Sequence, residues 1–288
     1  MSLLTLQQHE SKTIASSQVA TINIPKGGKI LNLFVRFATA ANADATVAAI
    51  KSEISNIRLT LNGRDIVNCS PTKLYDIYSF LGQNVNDVAG IAGILELNLA
   101  PLLYTDPAVR EILGLGTADV DSIIVSVTAG TLSTIASVQG FTGRIQNNEN
   151  LGVYGKVINY PVSFNSTGTH TYDTLPKDAD TAYTALLVDA GASGTLTFSE
   201  LRTQSLSIRD LAPRSISNAL LSGQRYSNVA GYYTHLFANG SLDTLLPMVG
   251  VSDFRIVNTF SVAPGAAGYN VTALSVVNLV AALNARRG

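Results

Sequence analysis

The sequence predicts an all-β protein: two tandem eight-stranded jelly rolls (β-sandwiches) with short inserted helices. Three observations carry this. Apolar residues alternate within short runs, turn-forming residues separate those runs, and one pattern unit occurs twice along the 288 residues. Period two with a single apolar face marks a half-buried strand, and many such strands with turn signals between them indicate a sandwich or barrel. Each half, of roughly 140 residues, has room for about eight strands.

In chain order, Leu31, Leu33, Val35 and Phe37 share one face, with Asn32 and Arg36 on the other. Ile57, Leu59 and Leu61 alternate with Arg58 and Thr60, and Asn62-Gly63 follows directly, a hairpin signal because both residues tolerate positive φ. A helix is expected next. Ser70 can cap it, Pro71 suits its first turn, and Leu74, Ile77, Tyr78 and Leu81 form one apolar stripe closed by Gly82. Leu95, Leu97 and Leu99 then alternate with Glu96 and Asn98, and a second helix is expected from Asp106-Pro107 through Leu113.

The repeat lies in the same order in both halves. GQNVNDVAG at 82–90 and GQRYSNVAG at 223–231 share five of nine residues, 141 positions apart. Arg64-Asp65-Ile66 recurs as Arg209-Asp210-Leu211, and Gly116-Thr117-Ala118-Asp119-Val120 as Gly250-Val251-Ser252-Asp253-Phe254. In the second copy Pro213 is expected to start a helix with Ile216, Ala219 and Leu220 on its apolar face and Gly223 at its end. The polar run 146–150 reads as the boundary, giving jelly rolls at 1–148 and 149–288.

Composition narrows the function. Only 14% of residues are charged, against a usual ~25%. Such a surface fits a protein–protein interface, where charge is depleted, and equally a β protein rich in surface hydroxyls. A net charge of −1 offers no basic excess to neutralise phosphates, so direct sequence-specific nucleic-acid binding is not expected. A single cysteine, Cys69, rules out an internal disulfide framework and reads as a small buried residue. The N-terminal stretch has neither the basic nor the apolar region of a secretion signal, and no apolar run reaches the length of a membrane span.

Catalytic patterns are missing. Pro25-Lys26-Gly27-Gly28-Lys29 lacks the spacing and the hydroxyl residue of a P-loop and reads as a hairpin turn, and no G-x-S-x-G elbow occurs. His9, His170 and His235 are scattered, with no metal-ligand spacing; His235 reads as a structural histidine in a strand. The acidic pairs Asp119/Asp121 and Asp178/Asp180 are the only metal candidates. They would suit calcium, which takes several carboxylate oxygens, but they read first as solvated turn residues. No cofactor is expected.

Ile57-Arg58-Leu59-Thr60-Leu61-Asn62-Gly63-Arg64, followed by Thr72-Lys73-Leu74-Tyr75-Asp76, resembles the first-roll strand, DGR-like turn and following helix of the double jelly-roll major capsid proteins of tailless icosahedral, membrane-containing bacteriophages of the corticovirus type. Asn62 stands where that pattern has Asp. The resemblance implies a structural protein rather than an enzyme. Three chains would form a pseudo-hexagonal block that tiles an icosahedral shell, assembled in the host cytoplasm and located in the virion. Its partners would be further copies, neighbouring capsomers, penton and minor capsid proteins, and an internal viral membrane. Leu274, Val277, Leu279, Val280 and Leu283 suggest an amphipathic C-terminal helix, facing that membrane, a neighbouring block or its own domain. The alternative is a secreted or surface-exposed double β-sandwich that binds carbohydrate or acts as an adhesin.

Overall fold

The computed structural model describes residues 4–81, 92–98, 114–191, 193–204, 206–213, 216, 219, 221, 231–237 and 245–278. The chain divides into two compact units. Unit 1 comprises Met1–Tyr78 and Gln83–Ile158, and unit 2 comprises Ser79–Gly82 and Asn159–Gly288.

Unit 1 contains β1 (Leu4–Thr13), β2 (Val19–Asn23), β3 (Lys29–Thr39), α1 (Val47–Glu53), β4 (Ile54–Leu61), β5 (Arg64–Cys69), α2 (Pro71–Phe80), β6 (Ile94–Asn98), the two-residue β7 (Leu115–Gly116), β8 (Ile123–Ala129) and β9 (Ile135–Ile145). One sheet runs β1-β9-β3-β6, with β7 also on β3, and the other runs β5-β4-β8-β2. Next come β10 (Tyr154–Val162), β11 (Gly168–Tyr172), β12 (Thr181–Asp189), β13 (Thr195–Thr203), β14 (Leu206–Pro213), β15 (Tyr232–Leu236), the two-residue β16 (Leu246–Pro247), β17 (Phe254–Val262) and β18 (Tyr269–Val277). Unit 2 has one sheet in the order β15-β12-β18-β10, with β16 on β12, and another in the order β11-β17-β13-β14.

Leaving aside the two-residue strands, each unit has eight strands among the described residues. Ranked in chain order, their sheets read first-eighth-third-sixth and second-seventh-fourth-fifth in both units. That is the interleaved Greek-key order of a jelly roll, present twice.

Local chemistry explains much of this. In β8, Ile123, Val125, Val127 and Ala129 are buried and the residues between them are not, the expected half-buried strand. Asn62 and Gly63 adopt φ of 49° and 75° and join β4 to β5, where Leu61 faces Arg64. Asn62 Oδ1 also accepts from the Asp121 and Ser122 amides at 2.7 and 3.1 Å, an acceptor that Asp would supply equally. Ser70 begins α2 through its carbonyl and hydroxyl, and Leu74, Ile77 and Tyr78 are buried as the stripe requires.

Other expectations need correction. Pro25 to Lys29 is no hairpin: β2 pairs with β8 and β3 with β9, so the segment crosses between sheets. Leu274 and Val277 belong to β18, not to a helix, and residues 279, 280 and 283 lie outside the described residues. Nearly every β18 residue is buried, so both faces are apolar and the run mimics a helical stripe. Pro213 closes β14 and so lies before the expected helix, whose described residues Ile216, Ala219 and Leu221 are helical, with Ile216 53% exposed and Leu221 buried. The helix expected at 106–113 and the repeated segments at 82–90 and 223–230 also lie outside the described residues.

The repeat falls on equivalent strands but in a shifted register. Leu61 faces Arg64 as Thr203 faces Leu206, and Leu59 faces Val67 as Leu201 faces Arg209, which places β14 142 residues after β5, not 145. β7 meets β3 as β16 meets β12, 131 residues on, not 134. Both sequence matches are therefore three residues out of register.

The polar run read as the boundary is tied to unit 1. Lys29 Nζ donates to Glu149 at 2.6 Å, and the Ala118 amide donates to the Glu149 carbonyl at 3.0 Å. The division by contacts comes later, between Ile158 and Asn159 within β10.

Candidate functional site

The residues with chemical potential do not converge on one site. In unit 1, β1 carries His9 inward, where Nε2 lies 2.9 Å from Thr142 Oγ1 on β9. The same hydroxyl accepts from Arg144 Nε at 2.9 Å, and Arg144 also donates to the carbonyls of Pro25 (2.5 Å) and Gly27. Arg144 thus fastens the crossing segment onto β9 through carbonyls that its sheets leave free. Burial and the nearby Arg144 charge hold the His9 imidazole below its ordinary pKa, so it is neutral at pH 7.

Glu53, the last residue of α1, is 5% exposed. Its carboxylate accepts from Ser133 Oγ at 2.7 Å, from the Thr134 amide at 3.0 and 3.1 Å, and from the Ile135 amide at 2.9 Å. Burial alone would raise its pKa. The hydrogen bonds to the anion outweigh burial and bring it down to about 2. Glu53 therefore closes the turn between β8 and β9. No local motif marks this role, since one glutamate beside a strand has no signature.

Unit 2 contains a buried polar chain. Ser199 on β13 donates to Asn258 Oδ1 on β17 at 2.6 Å and lies 2.7 Å from His235 Nε2 on β15. Asn258 Nδ2 donates to the Tyr269 hydroxyl at 3.3 Å, and that hydroxyl lies 2.9 Å from His170 Nδ1. The chain threads a core in which Tyr183 and Phe254 stack with centroids 5.8 Å apart. A serine beside a histidine invites comparison with a nucleophile and its base. Here the serine proton is committed to Asn258, and Ser199, Asn258 and His235 are at most 1% exposed. The bonds satisfy polar groups that would be costly to bury alone. His235 is structural, as its strand position suggested.

Cys69 is buried at the end of β5, and burial pushes its thiol up to about 12. The acidic pairs also lie apart from any cluster. Asp119 accepts from the Leu151 amide at 2.6 Å, and Asp121 lies 3.7 Å from Lys26 Nζ. The Asp178 and Asp180 carbonyls accept from the Thr181 and Asn278 amides. Among the described residues no three His, Cys, Asp or Glu side chains gather as a metal site, and no helix is long and apolar enough to cross a membrane.

What recurs in the molecule is the jelly roll itself, and the comparisons with known proteins bear on it directly. The family model for the viral coat protein P2 N-terminal domain matches residues 5–142. The matched stretch ends within β9, so it takes in nearly all of the first jelly roll. Both jelly rolls together match solved capsid proteins. The major capsid protein P2 of bacteriophage PM2 aligns at TM-score 0.76 and 14% identity over 96% of this chain and 97% of that one. The major capsid protein of Sulfolobus turreted icosahedral virus aligns at TM-score 0.66 and 15% identity over 98% of each. The PBCV-1 capsid aligns at 0.63 and 10% identity, over 96% of this chain and 94% of that one. These likenesses establish the double jelly-roll fold. No curated protein matches the sequence.

Proposed function

We propose that this chain is a major capsid protein: three copies form a pseudo-hexagonal block, and such blocks tile an icosahedral virus shell. The observation that carries this is the match of residues 5–142 to a viral coat protein domain, in a chain that then repeats the same strand order. Duplication gives each chain two similar faces that can diverge, so that a three-fold block meets its neighbours with near six-fold geometry. The low charge suits a surface that is largely covered by other copies.

In this reading the protein's place is the virion, after assembly in the host cytoplasm. Its partners are further copies, neighbouring capsomers, penton and minor capsid proteins, and an internal membrane. It turns over no substrate. The sealed Ser199–His235 pair and the unreactive Cys69 support that. The test is the mass of the purified chain by light scattering, joined to negative-stain imaging. A trimer of about 91 kDa, three times 30.3 kDa, with a hexagonal outline supports the reading. A strictly monomeric species at high concentration overturns it.

A further inference from the structure

The polar chain inside unit 2 has a direction. Ser199 gives its proton to Asn258 Oδ1, so His235 Nε2 beside it is the donor to the serine oxygen. Asn258 Nδ2 then donates to the Tyr269 hydroxyl. Tyr269 is fully buried, and burial pushes its pKa up to about 12, so the hydroxyl keeps a proton that needs an acceptor. His170 Nδ1, 2.9 Å away, is that acceptor. Every donor therefore points the same way, from His235 on β15 through β13, β17 and β18 to His170 on β11. His170 is left with a bare Nδ1 and its one proton on Nε2.

This last link fastens a short edge strand. β11 has five residues and, among the described residues, pairs with β17 alone. Gly168, Thr169 and Thr171 are exposed, while His170 is half-buried and Tyr172 buried. Phe164, in the connection from β10, lies against the His170 ring with centroids 4.5 Å apart.

We infer that His170 is an acid-sensitive latch on β11: a proton taken up at Nδ1 turns the acceptor at the end of the chain into a donor, opposes the Tyr269 hydroxyl, and loosens the edge strand from the core of unit 2. A chain with one direction has no place for that proton. Reversing it requires the Asn258 amide to turn over and His235 Nε2 to give up its proton, where Asn258, Ser199 and His235 are at most 1% exposed. Releasing β11 puts the imidazolium in water instead.

The groups around His170 set where it titrates. β18 presents the Tyr269 ring edge-on to the imidazole, β17 presents Asn258 directly opposite in the ladder, and the β10–β11 connection presents Phe164. Tyr172, on β11 itself, lies within electrostatic reach of Tyr269. Asp173, just past the end of β11, attracts the charged imidazole and also acts on Arg255 of β17. Burial outweighs the pull of Asp173 and holds His170 below its ordinary 6.5. The folded pKa is the depressed one, so a released β11 takes up the proton first. The latch is complete above pH 6.5 and weakens as the pH falls below it.

The test follows the full-length protein from pH 7.5 to pH 5.5, above the ordinary carboxylate range. Hydrogen exchange at the imidazole C2 position, read by mass spectrometry, titrates His170 itself. Amide exchange, corrected for its intrinsic pH dependence, reads the opening of β11 with β12 as the internal reference. Opening of β11 should rise about three- to tenfold by pH 5.5, the upper figure being close to the most that a group titrating at 6.5 when released can supply. The rise should follow the titration of His170, and β12 should not change. His170→Asn sets an amide oxygen near the position of Nδ1 and has no proton to gain, so opening of β11 in that variant should be constant within about twofold. Constant opening in the wild type, an equal rise in His170→Asn, or a His170 that titrates at or above 6.5 overturns the latch. Should the variant fail to fold, the wild type decides alone, since an opening that does not track His170 also overturns it.

Discussion

Replacing Glu53 with glutamine tests how the turn between β8 and β9 is held. The substitution keeps size and shape, removes the charge, and sets an amide NH2 among the donors of Ser133, Thr134 and Ile135. The carboxyl sits at about 2 in the folded chain, against an ordinary value of 4.5. At 1.36 kcal/mol per pKa unit, that difference corresponds to about 3 kcal/mol of stability at pH 7. The folded pKa is the depressed one, so this stability is complete above pH 4.5 and is lost as pH falls towards 2. Linkage leaves about 1.4 kcal/mol at pH 3 and about 0.4 kcal/mol at pH 2. Urea unfolding of wild type and Glu53→Gln at pH 7, 4, 3 and 2, followed on the unit 1 transition, reads this directly. The gap should be about 3 kcal/mol at pH 7 and should close on acidification. An unchanged midpoint at pH 7, or a gap constant with pH, would refute the carboxylate clamp.

Further outcomes are expected elsewhere. Gly28 has φ of +68°, and a Cβ there would lie 2.5 Å from the Ile145 carbonyl oxygen, so Gly28→Ala should cost about 2–3 kcal/mol by urea unfolding. Gly152→Ala, with open space around it, should stay within about 0.5 kcal/mol. Native protein at pH 8 should resist iodoacetamide at Cys69 and react stoichiometrically once unfolded, as a peptide map would show. Chelation with EGTA should leave the melting temperature within about 1 °C, since Asp119 is engaged with Leu151 and Asp121 lies beside Lys26; a drop of several degrees would reveal a structural calcium ion.

The fold class was legible because its signals are local. Alternation marked β3, β4 and β6, the Asn62-Gly63 pair marked the β4–β5 hairpin, and Ser70-Pro71 marked the start of α2. The same locality produced the errors. β18 has no polar face because both sides are buried, so strand and helix periods could not be told apart there. The repeat matched the correct strands three residues out of register because short identities outweighed a ladder that only the partner strands define.

By itself, then, the sequence determined that this protein is β-rich, duplicated and poor in charge, since side-chain periodicity, turn chemistry and composition are written in adjacent residues. Only the tertiary structure decided the strand order, the sheet crossing at Pro25 to Lys29, the Glu53 clamp and the polar chain from His235 to His170. Each of these depends on hydrogen bonds between residues far apart in the chain. No local pattern specifies such a partner; it is selected when the sheets pack and buried polar groups must find one another.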